Sequence, residues 1–167
     1  MAAAFAANPF PGLRPFEAAQ THLFFGRDGQ SSAIVDRLAQ TRLVAVVGPS
    51  GSGKSSLVRA GLLPLLEGGY MGAAGSFWRF AVMTLGDNPI HNLAHALADP
   101  AVLAGASADR AGRKAQIEAV LRRGGLGLIE VFRQARLEEQ DNLLVLVDQF
   151  EELFRFADLR AGSDRLD

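Results

Sequence analysis

Eight consecutive residues, Gly48-Pro49-Ser50-Gly51-Ser52-Gly53-Lys54-Ser55, carry the plainest chemistry in this 167-residue chain. They fit the Walker A pattern, in which two glycines, a lysine and a hydroxyl stand at fixed places. Glycines let the backbone curl until several N–H groups converge on one centre, a nest for an anion. A helix opening at that point adds the positive end of its dipole. Lys54 would reach the β- and γ-phosphates of a nucleotide, and the Ser55 hydroxyl would ligate Mg²⁺. Lys54 is one of only two lysines, with Lys114, against 15 arginines. In such a background a lysine at this place carries more weight than usual.

A second set of chemical groups lies near the other end. Asp148 closes the apolar run Leu143-Leu144-Val145-Leu146-Val147, the Walker B arrangement. A carboxylate at the carboxyl end of a buried strand sits in the crevice where ligands bind in parallel sheets, and there it could hold Mg²⁺ through water. Glu151 and Glu152 follow, placed to orient an attacking water. Equally, they could serve as acids in the first turn of the next helix. His91 and His95 stand four apart on an expected helix. Asn92 occupies the place where a zinc protease would carry its glutamate, so a solvated helix face is the preferred reading. Arg113, Lys114, Arg122 and Arg123 read as a basic helix end.

The elements that must position these groups alternate. Three prolines within residues 8–16 favour an extended arm, with a short helix from about residue 17 to 23. Ile34, Val35, Leu38 and Ala39 fall at helical spacing, and Ser31 or Asp28 could cap that helix. Residues 43–47 form a short apolar run bounded by Gly48-Pro49, the mark of a buried parallel strand. A helix from about 54 to 66 follows, interrupted by Gly61 and Pro64. Residues 78–85 are a second expected strand, ending in the turn Gly86-Asp87-Asn88-Pro89. Helices are expected over 90–98, 111–123 and 126–139, a small-residue loop over 99–109, a third buried strand over 143–147, and a last helix from 150 to 156. Strands alternating with helices imply an α/β fold with a parallel sheet. The expected organisation is an arm with a short helix over 1–23, one domain over 24–160, and a polar tail over 161–167.

Composition narrows the function classes. Seventeen basic against 18 acidic residues leave a net charge of −1. That balance argues against a protein held to nucleic acid by bulk charge. The absence of cysteine excludes disulfides, cysteine zinc sites and a cysteine nucleophile. No apolar run approaches about 18 residues, so no membrane span is expected. The alanine-rich start lacks a basic region and makes a poor signal peptide. A cytoplasmic protein is the default expectation.

Four stretches in order, Gly12-Leu13-Arg14-Pro15-Phe16, Phe24-Phe25-Gly26-Arg27, residues 46–64 around the glycine-rich loop, and Val147-Asp148-Gln149-Phe150-Glu151-Glu152-Leu153-Phe154, resemble the novel STAND NTPases. These are bacterial signal-transduction ATPases related to NACHT and apoptotic-ATPase domains. The resemblance implies a P-loop NTPase, a three-layer α/β sandwich with a parallel sheet, of which this chain would be the N-terminal part. It implies ATP and Mg²⁺ as ligands. It adds Ser56, Phe25, Gly26 and Arg27 to the nucleotide-binding set, the last three in a segment that packs near adenine in the family. Asp28 stands where a glutamate is usual. Glu151 and Glu152 occupy the places of the two acids of the NACHT-like Walker B. The family's winged-helix region and sensor domains do not fit within 167 residues. The remainder of a larger protein, or a protein partner, is therefore expected. No Asn-Lys-x-Asp motif for guanine is present, so adenine is expected. Two alternatives are a small nucleotide kinase, since guanylate kinases share a similar Gly-Pro-Ser-Gly loop, and an interaction fragment that binds without turning over.

Overall fold

A computed structural model describes Gly12, residues 14–103 and residues 110–154. The prolines at positions 9 and 11, part of the expected loop at 99–109, the end of the last expected helix and the polar tail lie outside the described residues. The chain divides between Phe77 and Trp78 into two compact units.

In the first unit a 3₁₀ turn, Ala18–Leu23, precedes helix α1, Asp28–Thr41. Ile34, Val35 and Leu38 face inward from α1, as their spacing requires. No side chain caps the first turn of α1. Arg27 is the N-cap residue, and Ser31 Oγ donates back to the Arg27 carbonyl at 3.4 Å. The helix expected over 54–66 is continuous but not uniform. It runs as α2, Lys54–Ser56, then a π-helical stretch, Leu57–Leu62, then α3, Leu63–Glu67. Pro64 explains the irregularity. An α-helical ladder would give the Ala60 carbonyl the N–H of residue 64, and proline has none. The Thr21 hydroxyl lies 3.0 Å from that carbonyl and shares its one proton between it and the Ala18 carbonyl at 2.7 Å. Helix α3 ends in a Schellman motif. Gly69, at φ 77°, donates to the Leu66 carbonyl and Tyr70 to the Leu65 carbonyl, both at 3.0 Å.

In the second unit strand β1, Trp78–Thr84, pairs in parallel with strand β2, Asn142–Asp148, in the register Trp78 opposite Asn142 through Thr84 opposite Asp148. Helices α4, Pro89–Leu97, α5, Arg110–Leu121, and α6, Gly127–Gln134, pack in succession. Asn88 caps α4 by accepting from the His91 N–H, with Pro89 in the first turn. The core gathers Ala81, Leu97, Val102, Leu103, Val120 and Val131, with Leu143 and Val145 packed against it. Burial alternates towards the end of β1: Ala81 and Met83 are buried, whereas Val82 and Thr84 are exposed. The α/β character and the parallel sheet agree with the sequence reading, and a sheet of two strands among the described residues matches an incomplete domain of that class.

Two elements differ from expectation. Residues 43–47 form no strand and make no ladder bond among the described residues. Leu43 and Val47 are 83% and 89% exposed. A strand is defined by its neighbour, and an apolar run without one has no ladder to join. Helix α6 stops at Gln134 rather than near 139 because Arg136 turns left-handed, at φ 49°. Residues 138–141 then close their own turn, with the Asp141 N–H on the Glu138 carbonyl at 2.9 Å.

Candidate functional site

The glycine-rich loop lies in the first unit, at the start of α2. Gly51 and Gly53 adopt φ 74° and 82°, values that a side-chain-bearing residue reaches only with strain. At Gly48 a Cβ would approach Ser52 Oγ to 3.1 Å, a tight contact that a small turn of the serine side chain would have to relieve. Lys54 folds over its own loop and donates to the carbonyls of Gly48 and Pro49, both at 3.0 Å. Ser55 is half-buried at the first turn of the helix. The Ser56 hydroxyl is turned elsewhere and accepts from the Phe16 N–H at 3.1 Å. The loop borders an open groove of about 620 Å³, walled by α1 through Ile34 and Arg37 and by residues 43–47.

The segment before α1 divides its roles. The Phe24 ring packs against Phe16, with centroids 5.9 Å apart, and against Gly61. Phe25 is 80% exposed. Gly26 turns at φ 85° and releases Arg27 towards the loop. Arg27 Nη1 donates to the Ser52 carbonyl at 2.8 Å, and its guanidinium lies over Gly53, where a Cβ would stand 3.4 Å from Nη1. Of the residues singled out in the sequence, Arg27, Gly48, Ser52, Gly53 and Lys54 therefore form one constellation, and Phe25 and Ser56 take no part in it.

In the second unit Asp148 ends β2, opposite Thr84 at the end of β1. Its Oδ1 accepts from the Gln149 N–H at 3.0 Å, and Gln149 sits at φ 57°. The two glutamates are not equivalent. Glu152 Oε2 accepts from the Gly86 N–H at 3.1 Å, tying the turn after β1 to the turn after β2. Asn92, on α4, fastens the end of β1 separately by donating to the carbonyls of Thr84 and Leu85, at 3.3 and 2.9 Å. Glu151 is exposed. The sequence offered Gly86 only as a turn residue and Asn92 only as a missing glutamate. The Gly86–Glu152 bond joins residues 66 apart and depends on which strands become neighbours, which no local spacing carries.

His91 and the basic residues on and just after α5 make structural contacts, and His95 takes no part in them. His91 Nδ1 lies 2.9 Å from Glu118 Oε2 and His91 Nε2 lies 3.2 Å from Lys114 Nζ, while Arg122 pairs with Glu118 at 2.7 Å. Arg113 donates to the Leu103 carbonyl at 2.9 Å, and Arg123 pairs with Glu130 at 3.2 Å. The Arg122 guanidinium first, and then His91, hold the Glu118 carboxyl below its ordinary value. Among the described residues no three side chains gather as a metal cage, and no helix is long and apolar enough to cross a membrane.

A parallel α/β chain with a glycine-rich loop opening a helix belongs to a broad class, and comparison with known families narrows it. The family model described as Novel STAND NTPase 1 matches residues 9–166, and the chain belongs to that family. No curated protein and no solved structure matches the chain.

Proposed function

We propose that the chain is the ATP–Mg²⁺-binding segment of a STAND-type signalling switch, with slow or no hydrolysis on its own. The loop carries this reading: left-handed glycines at 51 and 53, with the Lys54 amine folded over the carbonyls of Gly48 and Pro49. Gly48, Pro49, Ser50, Gly51, Ser52, Gly53 and Ser55 supply the loop for the phosphates, and Lys54 moves from its carbonyls to phosphate oxygens. The donors at hand suit a hard cation, since a serine hydroxyl and a carboxylate are oxygen ligands of the kind Mg²⁺ takes. Ser55, beside the loop, would hold it there and it would neutralise phosphate charge; Asp148, in the second unit, is the other candidate ligand. Exposed Phe25 is the apolar surface available to the base, and adenine is the base expected.

Of the two acids, Glu151 orients the attacking water, because Glu152 already serves the Gly86 N–H. A charge-stabilising arginine is worth about 10³–10⁵ in rate when a second protein or domain supplies it, and its absence would leave turnover slow. The test is a titration of the purified chain with Mg–ATP and Mg–GTP, read as a melting shift. ATP should shift it more than GTP, and Lys54→Ala should abolish both shifts. An equal shift in the variant, or a stronger one with GTP, contradicts the reading. Phosphate transfer from ATP to a nucleoside monophosphate would favour the kinase alternative.

A further inference from the structure

We propose that Arg27 is a positioning residue for the phosphate loop, setting the plane of the Ser52–Gly53 peptide so that the Gly53 N–H faces the anion. This goes beyond packing near a base, and it rests on the loop binding phosphate. The observation is the 2.8 Å bond from Arg27 Nη1 to the Ser52 carbonyl, with the guanidinium lying over Gly53.

A trans peptide is planar, and its C=O and N–H point in opposite directions. Holding the Ser52 carbonyl therefore holds the Gly53 N–H pointing away from Arg27. A cation on the carbonyl also polarises the amide, which makes that N–H a stronger donor. Glycine at 53 has two uses. It allows φ 82°, and it leaves the space above its Cα for the guanidinium. Arg27 is itself held from behind: its own carbonyl accepts from the N–H groups of Gln30 and Ser31 at 3.0 and 3.1 Å, at the start of α1. The loop is thereby referenced to a helix whose inner face is buried. Without that reference the peptide is free to rotate, and the nest must be ordered anew for each ligand.

The experiment measures Mg–ATP and Mg–tripolyphosphate affinities by calorimetry for the wild-type chain, Arg27→Ala, Arg27→Lys and Val35→Ala. It also records the Gly53 amide resonance without ligand. Val35 is buried in α1 and serves as a control for general loss of stability. Losing a hydrogen bond to a charged group predicts that Arg27→Ala weakens both ligands by the same factor, about 10- to 100-fold. Arg27→Lys, a point donor in place of a fork, weakens both by a smaller common factor. It carries the test alone if the alanine variant does not fold. The Gly53 resonance moves in the ligand-free Arg27 variants, and Val35→Ala leaves both affinities unchanged.

Unchanged affinities in the Arg27 variants overturn the proposal. So does a loss confined to ATP, which would make Arg27 a base contact, or an unmoved Gly53 resonance, which would make it a direct phosphate contact. An equal loss in Val35→Ala overturns it as well. A wild-type chain that binds neither ligand removes the phosphate-loop reading itself, a result distinct from all of these.

Discussion

Lys54 shares its ammonium protons between two carbonyls of its own loop, so the amine is already held where phosphate oxygens would replace those carbonyls. A ligand at about 100 times its dissociation constant stabilises the fold by about 2.7 kcal/mol, and Lys54→Ala should lose that increment. Lys114→Ala is the informative partner: it removes the contact with His91 and should lower the baseline melting point while leaving the ATP increment intact. The two glutamates separate in the same way. Glu152→Gln keeps an acceptor for the Gly86 N–H, whereas Glu152→Ala leaves that donor unpaired, at about 1 to 2 kcal/mol of stability. Glu151→Gln should leave stability and nucleotide affinity unchanged and reduce whatever hydrolysis is measurable. Thermal melts and phosphate release read these independently, and a turnover loss in Glu152→Gln matching that in Glu151→Gln would return the water-orienting role to both.

At the scale of elements, the helix after the loop is shaped by residues distant in sequence. A Cβ on Gly61 would lie 2.3 Å from Ser31 Oγ, so α1 and the π-helical stretch approach as closely as they do only because position 61 is bare. Gly61→Ala should cost about 1–3 kcal/mol, the usual range for overpacking. Adding Ser31→Ala should recover most of it, since the hydroxyl is the nearest obstacle; denaturant melts of the four-member cycle read the coupling. The sequence showed Gly61 and Pro64 as interruptions of a helix. It could not show that the Thr21 hydroxyl shares its proton with the carbonyl that Pro64 cannot serve, because that contact joins residues 39 apart. The glycine-rich loop was legible because its chemistry is local and its glycines answer to backbone angles.

The network between α4 and α5 gives the elements a pH dependence. The Glu118 carboxyl lies below its ordinary value of 4.5 in the fold, chiefly through Arg122 and then His91. A carboxylate lowered on folding contributes stability that is complete above its unfolded value and is lost as pH falls through the folded one. Acid titration of the melting point should therefore show a shallower fall in Glu118→Gln than in the wild-type chain, with the difference confined to pH below about 5. Identical acid limbs would mean the pair is too exposed to matter.

Across the whole molecule, the parts that the sequence could not place are those that need a neighbour. Strands β1 and β2 found each other and fixed their register through seven residue pairs. Residues 43–47, no less apolar, have no ladder bond among the described residues and leave Leu43 and Val47 exposed. The sequence marked this run as buried because burial is written in residue type, whereas the strand that would bury it is not specified by the run itself. An exposed apolar strand-former whose backbone joins no ladder is a template for pairing with another chain. The chain alone should accordingly self-associate as concentration rises, and the amides of residues 43–47 should exchange with solvent far faster than those of Ala81, Met83 and Val145. Leu43→Lys should suppress the association, because an edge charge resists pairing, and should preserve the ATP-induced melting shift, because Leu43 lies five residues before the loop. Sedimentation velocity over a concentration series, with hydrogen exchange at its dilute end, tests this. A wild-type chain that stays monomeric at its highest soluble concentration, or slow exchange across 43–47 in the dilute protein, would show that this run is already paired and buried within a single chain.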